Sequence, residues 1–381
     1  MAPIKVAEIS RPDSESLNLN EALISNVKQL SSYNWIEAPA PTIAVPGSPS
    51  LWSPPKTAQK LKKDSGLIYI AQNAARHPKS PMEPLFRALL VSNPSFDINS
   101  VDVVTDRNNI RKLLSFASPS LTDTRLEPFT IDIEIINDTA VFCRAETRTS
   151  EFIGPQDFIG FGHEFEKAYT TNQIVGSTGH HRILSYQFGD LKFIVRHETD
   201  GYIDGSVKES TERTELGDDD LSGMLGTLSL GPSESLSHAA PFDSKLIIKE
   251  KGHEVPTEST LELKTRVFHR PIDIQQVIPQ LWVSQTPNLV RAYHRNGLFE
   301  QPRVEDVSSK IERWERDHQV DLMKLAALIK RIIDAVRDIG GNATIKYDTL
   351  LDKLVVWKVE ARKMLPDDLY SILENKNTIA R

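Results

Sequence analysis

Two short stretches constrain this chain most, Leu191 to Asp200 and Thr260 to Arg266. Each reads as a strand that runs from apolar residues into charge. Residues two apart on a strand share a face, so Glu198 goes with Asp200 and Glu262 with Lys264. Two carboxylates beside a third carboxylate and a lysine are groups that hold a hard divalent cation next to a phosphate under attack. The same residues also suit two solvated strand ends, because E-x-D and E-x-K strings arise by chance.

The rest of the chain sets bounds on that reading. A length of 381 residues is enough to bury a full core. Cys143 is the one cysteine, so no internal disulfide forms, which suits a reducing compartment, nucleus or cytoplasm. The N-terminus has no signal-peptide core, and no apolar run is long enough to span a bilayer, so no membrane partner is expected. The net charge of -7 argues against non-specific coating of nucleic acid but leaves room for a local basic groove.

Residues 1–32 are polar and predict a mobile tail with a short helix near Leu19 to Leu30. The prolines from Pro39 to Pro55 predict an extended segment anchored by Leu51 and Trp52. Residues 33–381 are expected to form a single domain. A flexible surface insertion is expected at about 205–256, where Asp218-Asp219-Asp220 precedes a Ser/Gly/Leu stretch without periodicity. Turn signals at Asn137-Asp138 and Gly189-Asp190 predict two hairpins. Apolar periodicity predicts helices near Pro84, Asp106, Gly162 and Ile272, and one long helix from Val304 to Ile339. Strands and helices together make a mixed α/β (α+β) chain.

Further residues join the central pair in chain order. Arg107 follows a strand, Gly162-His163-Glu164-Phe165-Glu166 opens a helix, and Gln285 ends a helix that contains Trp282. With Glu198, Asp200, Glu262 and Lys264, this ordered set resembles the DXO/Rai family of RNA cap quality-control decapping nucleases, as a divergent fungal-type member. The resemblance covers about residues 100–300, and Glu262-Leu263-Lys264-Thr265 is its closest local match. Asn108 stands where the family usually has glycine, and His163-Glu164 replaces an aromatic and a lysine.

The resemblance implies two mostly antiparallel or mixed β-sheets flanked by helices, around a PD-(D/E)xK-like metal site. It implies metal ligation by Glu166, Asp200, Glu262 and the Leu263 carbonyl, with Glu198 acting through water. The all-oxygen donor set favours Mg²⁺ or Mn²⁺, as two ions. Lys264 and Gln285 would orient the water or the scissile phosphate. Arg107 would grip an RNA phosphate, and Lys192, Arg196, Arg266, Arg291 and Arg295 would line a groove for the backbone. The implied activity is hydrolysis at the RNA 5′ end: removal of incomplete or non-canonical caps, pyrophosphate release, or 5′→3′ digestion. The alternative is a non-catalytic partner that stabilises a 5′→3′ exoribonuclease. A remoter one is an isoprenoid diphosphate synthase, suggested by the aspartate run alone, which would require an all-α fold. The histidines His180, His181 and His197 read as surface or core-edge residues, since neighbours on a strand face opposite ways.

Overall fold

The structure is a computed structural model that describes residues 4–13, 21–121, 125–154, 156–158, 160–205, 244–360 and 363–375, and residues 237–239 by backbone alone. Its centre is the strand pair Ser177–Phe188 and Leu191–Glu198, joined by the Gly189-Asp190 turn. The second strand lies parallel to Val103–Asp106. Among the described residues these belong to a twelve-stranded mixed sheet. Alternation along its strands explains why both faces are covered. Val103, Phe193 and Val195 face a core completed by Leu113, Trp282 and Leu325 from helices Arg107–Ala117, Ile274–Ser284 and Gln319–Asp338. Val104 and Ile194 face the opposite core, completed by Phe86 and Leu369 from helices Glu83–Ser92 and Asp367–Asn375.

A second mixed sheet holds Thr260–Val267 parallel to Asn288–Arg295, with Gly201–Tyr202 on the other side of the former. Leu261 and Leu263 pack against Phe165 and Tyr169 of helix Gly162–Tyr169, and Trp52 lies in the same cluster, as the anchoring role expected of it requires. Leu289 packs against Val277 and Leu281 of helix Ile274–Ser284. That helix fits between the sheets, so its residues face both.

Several expectations are corrected. The stretch expected to be a tail with a short helix holds two strands. Ile4–Ile9 lies at a sheet edge, and Ile24–Ile36 lies between Ser177–Phe188 and Thr42–Gly47. The expected insertion contributes Ile247–Gly252 to the larger sheet, parallel to Thr42–Gly47. Residues 206–236 and 240–243, with the aspartate run, lie outside the described residues. The long helix is two, Ser308–Asp317 and Gln319–Asp338, preceded by strand Val304–Asp306. His318 breaks it with φ -112 and ψ 26. Two mixed sheets exclude the all-α fold of an isoprenoid diphosphate synthase. No helix among the described residues is long and apolar enough to cross a membrane.

Candidate functional site

Glu198 and Asp200 do not share a strand face. Glu198 is the last residue of its strand in the larger sheet. The chain then steps across. The Thr199 N–H donates to the His180 carbonyl at 2.9 Å, and Gly201 enters the second sheet. Asp200 therefore stands at the junction of the two sheets. Two glycines permit the close packing around it. A Cβ on Gly201 would meet the Ser50 carbonyl oxygen at 2.9 Å. One on Gly179 would meet Gln72 Oε1 at 2.6 Å and Glu198 Oε1 at 3.1 Å.

The Glu262 strand is tied to that junction. The Leu263 N–H donates to Asp200 Oδ2 at 2.8 Å. Glu262 is 3% exposed, and three groups surround its carboxylate. Lys264 Nζ donates to Oε1 at 2.5 Å, Gln280 Nε2 donates to the same oxygen, and Arg107 Nη1 reaches Oε2 at 3.3 Å. Glu166 comes from helix Gly162–Tyr169, whose Phe165 and Tyr169 are fully buried and leave Glu166 half-buried on the cleft side. Asp64 caps that helix from far away in sequence, accepting the Glu164 N–H at 2.9 Å. Glu166, Asp200 and Leu263 line one open cleft of about 750 Å³.

The electrostatics follow from crowding. Burial, and then the charges of Asp200, Glu198 and Glu262, push the Glu166 carboxyl well above the carboxylate range. Burial, then Glu262, pushes Asp200 up to about 7. Glu198 moves the same way through burial, partly offset by Arg107, yet its side chain keeps access to solvent, which weakens that push. Glu262 goes the other way. Burial would raise it, but Lys264 and Arg107 together outweigh that and hold it low.

Glu166 and Asp200 thus line the cleft, Glu198 lines a separate hollow with Arg107, and Glu262 is buried, so the four carboxylates do not meet at one point. Among the described residues no three His, Cys, Asp or Glu side chains stand close enough together to hold one ion. The expected convergence of Glu166, Asp200 and Glu262 is not seen, because the Glu262 oxygens are turned to Lys264, Gln280 and Arg107. In chemistry the set still suits a hard cation. It is all oxygen, and Glu166 and Asp200 have no ion pair among the described residues.

The groove residues fare differently. Arg107 is at the site, as the first residue of its helix. Lys192 is exposed at the other end of the Glu198 strand, about 20 Å away at ~3.3 Å per residue. Arg196 is 2% exposed and grips Asp106 through two nitrogens at 2.6 and 2.9 Å, so it is a buried brace. Burial would depress its guanidinium, but Asp106 outweighs it. Arg291 holds Glu305 through two bonds of 2.8 Å. Gln285 is not at the site. It ends its helix with φ 51, and its Nε2 caps the Trp282 carbonyl at 2.6 Å. Arg266 and Arg295 are exposed, and Arg266 lines the cleft.

Sequence reasoning missed Gln280, Arg111 and Asp64. Gln280 had a signal, as a polar residue set among Val277, Ile278, Leu281 and Trp282. Arg111 lies one turn after Arg107, and the burial and the Arg107 charge that lower it place it in the same field. The histidines are buried, not surface: His180, His181 and His197 are each at most 5% exposed. Burial, then nearby arginines, holds all three well below the usual range.

A family model described as Domain of unknown function (DUF8563) matches residues 16–373. No curated protein matches the sequence. Solved structures do resemble it. S. pombe Rai1 in complex with 3'-FADP is 13% identical, with 93% of this chain and 99% of that one covered and a TM-score of 0.56. Candida albicans Rai1 in complex with pU5-Mn²⁺ is 11% identical, with 99% and 100% covered and a TM-score of 0.57. Scheffersomyces stipitis Rai1 in complex with (3'-NADP)⁺ and calcium ion is 12% identical, with 98% and 100% covered and a TM-score of 0.58. At these identities the likeness shows the fold, which is that of the DXO/Rai proteins.

Proposed function

The chain belongs to the DUF8563 family and has the DXO/Rai fold, and from that premise we propose that it is a metal-dependent hydrolase of RNA 5′ ends. One observation carries this reading. Glu166 and Asp200 line one cleft, the Leu263 N–H ties the Glu262 strand to Asp200, Lys264 and Arg107 both reach Glu262, and burial with mutual charge pushes Glu166 and Asp200 upward. Carboxylates that only met water would spread apart rather than crowd together. Support also comes from the Rai1 structures, whose ligands are a short nucleic acid with Mn²⁺ in one case and a dinucleotide with calcium in another.

Glu166, Asp200, Glu262 and the Leu263 carbonyl would hold Mg²⁺ or Mn²⁺, as two ions, with Glu198 acting through water. Such ions, when bound, activate a water and stabilise the leaving oxygen. The protein's own groups do the rest. Gln280 and Arg107 fix the Glu262 carboxylate. The Lys264 ammonium, anchored to Glu262 and one-third exposed, faces the substrate phosphate. Arg107 supplies a second cation for a phosphate oxygen.

The test is a panel of RNAs with 5′-triphosphate, unmethylated cap, methylated cap, NAD cap and 5′-monophosphate, incubated with Mg²⁺ or Mn²⁺. The released 5′ product is identified by mass, which separates decapping, pyrophosphate release and 5′→3′ digestion. At least one substrate is expected to be cleaved. Asp200→Ala, Glu262→Ala and the double variant should fall to a similar floor, since groups acting as a unit are not additive. If wild type leaves every substrate intact with both metals, the hydrolase reading is wrong. Partnership with a 5′→3′ exoribonuclease then becomes the account to test.

A further inference from the structure

One small piece of the fold belongs to neither large sheet. Strands Gly66–Tyr69 and Ser150–Ile153 pair antiparallel, and among the described residues they pair only with each other. A two-stranded ribbon is marginal by itself and needs packing to hold it. This one has little. Only Ile153 of the ribbon is buried, and Leu67, Ile68 and Phe152 join no apolar core among the described residues. Leu67 and Phe152 stand directly opposite each other, 57% and 70% exposed. One exposed apolar residue needs no explanation, but a cross-strand pair held up to water does.

The feet of the ribbon are fixed, and they stand on either side of the carboxylates. At one foot, Lys63 and Asp64 line the cleft of Glu166 and Asp200. Asp64 is held there by the Gly160 carbonyl and by the Glu164 N–H that it caps. At the other foot, Tyr69 and Ile70 line the hollow of about 120 Å³ that Glu198 and Arg107 share. The Ile70 and Ala71 N–H groups both donate to the Thr149 carbonyl at 2.9 Å. Arg76, bonded to Glu37 at 2.6 Å, lies with its Cζ 5.1 Å from the centroid of the Tyr69 ring. Between the feet, Gly66 has φ 88, and a Cβ there would meet nothing within 4 Å. Glycine serves the backbone turn at that point, not close packing. Leu67 and Tyr69 share a strand face, so the exposed pair continues the wall of the hollow outward.

We propose that this ribbon is a strap that closes over the step from Glu198 to Asp200 when substrate is bound, with Gly66 as its hinge and Leu67 and Phe152 as the surface it buries. The strap rests on the hydrolase reading for its occupant, the end of an RNA. Closure keeps bulk water from the carboxylates, which strengthens the charge interactions among them. Asp64 is both a foot of the strap and the cap of the Glu166 helix, so closure is felt at Glu166.

The experiment is hydrogen-exchange mass spectrometry of the full-length protein in Mg²⁺, with and without a short 5′-phosphorylated RNA whose phosphorothioate linkages resist cleavage. Amides of residues 66–69 and 150–153 should exchange quickly in the free protein and roughly ten-fold more slowly with the RNA. A double variant, Leu67→Ser with Phe152→Ser, should turn over RNA with kcat lowered roughly ten-fold. Its thermal midpoint and its Mn²⁺ affinity without RNA should match wild type, because the pair is exposed in the open form. Gly66→Ala, which strains the hinge without a clash, should act the same way. Ribbon amides that exchange alike with and without RNA would overturn the strap, and so would a double variant with wild-type kcat. The two readings fail separately. Cleavage by wild type together with either of those results refutes the strap alone. Protection of the ribbon by RNA without cleavage in Mg²⁺ or Mn²⁺ refutes the hydrolase alone.

Discussion

Asp200 shows how a single residue carries both the cost and the use of the site. Its carboxyl is pushed up to about 7, first by burial and then by Glu262, against the help of Lys264 and the Leu263 N–H. In the unfolded chain it titrates in the ordinary carboxylate range. Between those values the folded protein binds the extra proton, so stability falls as pH rises and levels off above about 7. Asp200→Asn removes this penalty and keeps an oxygen to accept the Leu263 N–H. In EDTA, the thermal midpoint of the variant should exceed that of wild type by a few degrees near pH 8, and the gap should narrow towards about pH 5. The buried histidines are common to both proteins and cancel from the difference. Mg²⁺ should then raise wild type more than the variant, since a cation relieves the same repulsion. A gap that does not change with pH would show that Asp200 is not the strained group. The neighbouring glutamine shows where sequence is a weaker guide. Gln285 and Gln280 both flank Trp282, and only the helix stop separates them. The left-handed Gln285 ends the helix before Pro287, which turns Gln280, on the face of Val277 and Ser284, towards Glu262.

At the scale of elements, the Glu166 helix is short, from Gly162 to Tyr169, and its own N-terminal flanking residue, Phe161, offers no side-chain cap. Asp64 supplies one across the fold, and its backbone N–H is held by the Gly160 carbonyl at 3.0 Å. Local capping signals are legible in sequence because cap and helix are neighbours, while a cap from a hundred residues away leaves no pattern. Asp64→Ala is expected to cost about 1 kcal/mol of stability, as loss of a helix cap does. Because the helix carries Glu166, the variant should also bind Mn²⁺ more weakly in a calorimetric titration. Asp64→Asn, which can still accept the Glu164 N–H, should restore both. A stability loss without any change in Mn²⁺ affinity would mean that the cap supports the helix but does not place Glu166. The same contrast explains the hairpins and the 3.6-residue periodicities, which were readable because their signals are local. The E-x-D spacing misleads because the strand of the larger sheet ends at Glu198 and the chain crosses to the second sheet at Gly201, leaving Asp200 between them.

For the whole molecule, the largest departure from a sequence reading is Ile24–Ile36, whose first nine residues composition assigns to a polar tail ending at residue 32. Its inner half buries Ser31, Ser32, Tyr33, Asn34, Trp35 and Ile36, none above 7% exposed. Hydropathy cannot find such a strand, because its polar residues are buried and satisfied. Ser31 Oγ donates to the Ala88 carbonyl, Ser32 Oγ to the Pro46 carbonyl, and Asn34 Nδ2 to the Ser48 carbonyl. The strand is paired on both sides, with Ser177–Phe188 and with Thr42–Gly47, so it joins the half of the sheet that carries Glu198 to the strands beyond it. Removing it would leave two strand edges unpaired and their cores open. Ile4–Ile9 differs, since among the described residues it pairs only with Lys353–Lys358 and is mostly exposed. A chain beginning at Pro12 should therefore stay soluble and melt cooperatively at a lower temperature, whereas one beginning at Tyr33 should be insoluble or lack a cooperative transition. Soluble yield and circular dichroism melts measure both. If the shorter chain melts as cooperatively as the full one, Ile24–Ile36 is dispensable, and the sheet must be held by Ser177–Phe188 and Leu191–Glu198 alone.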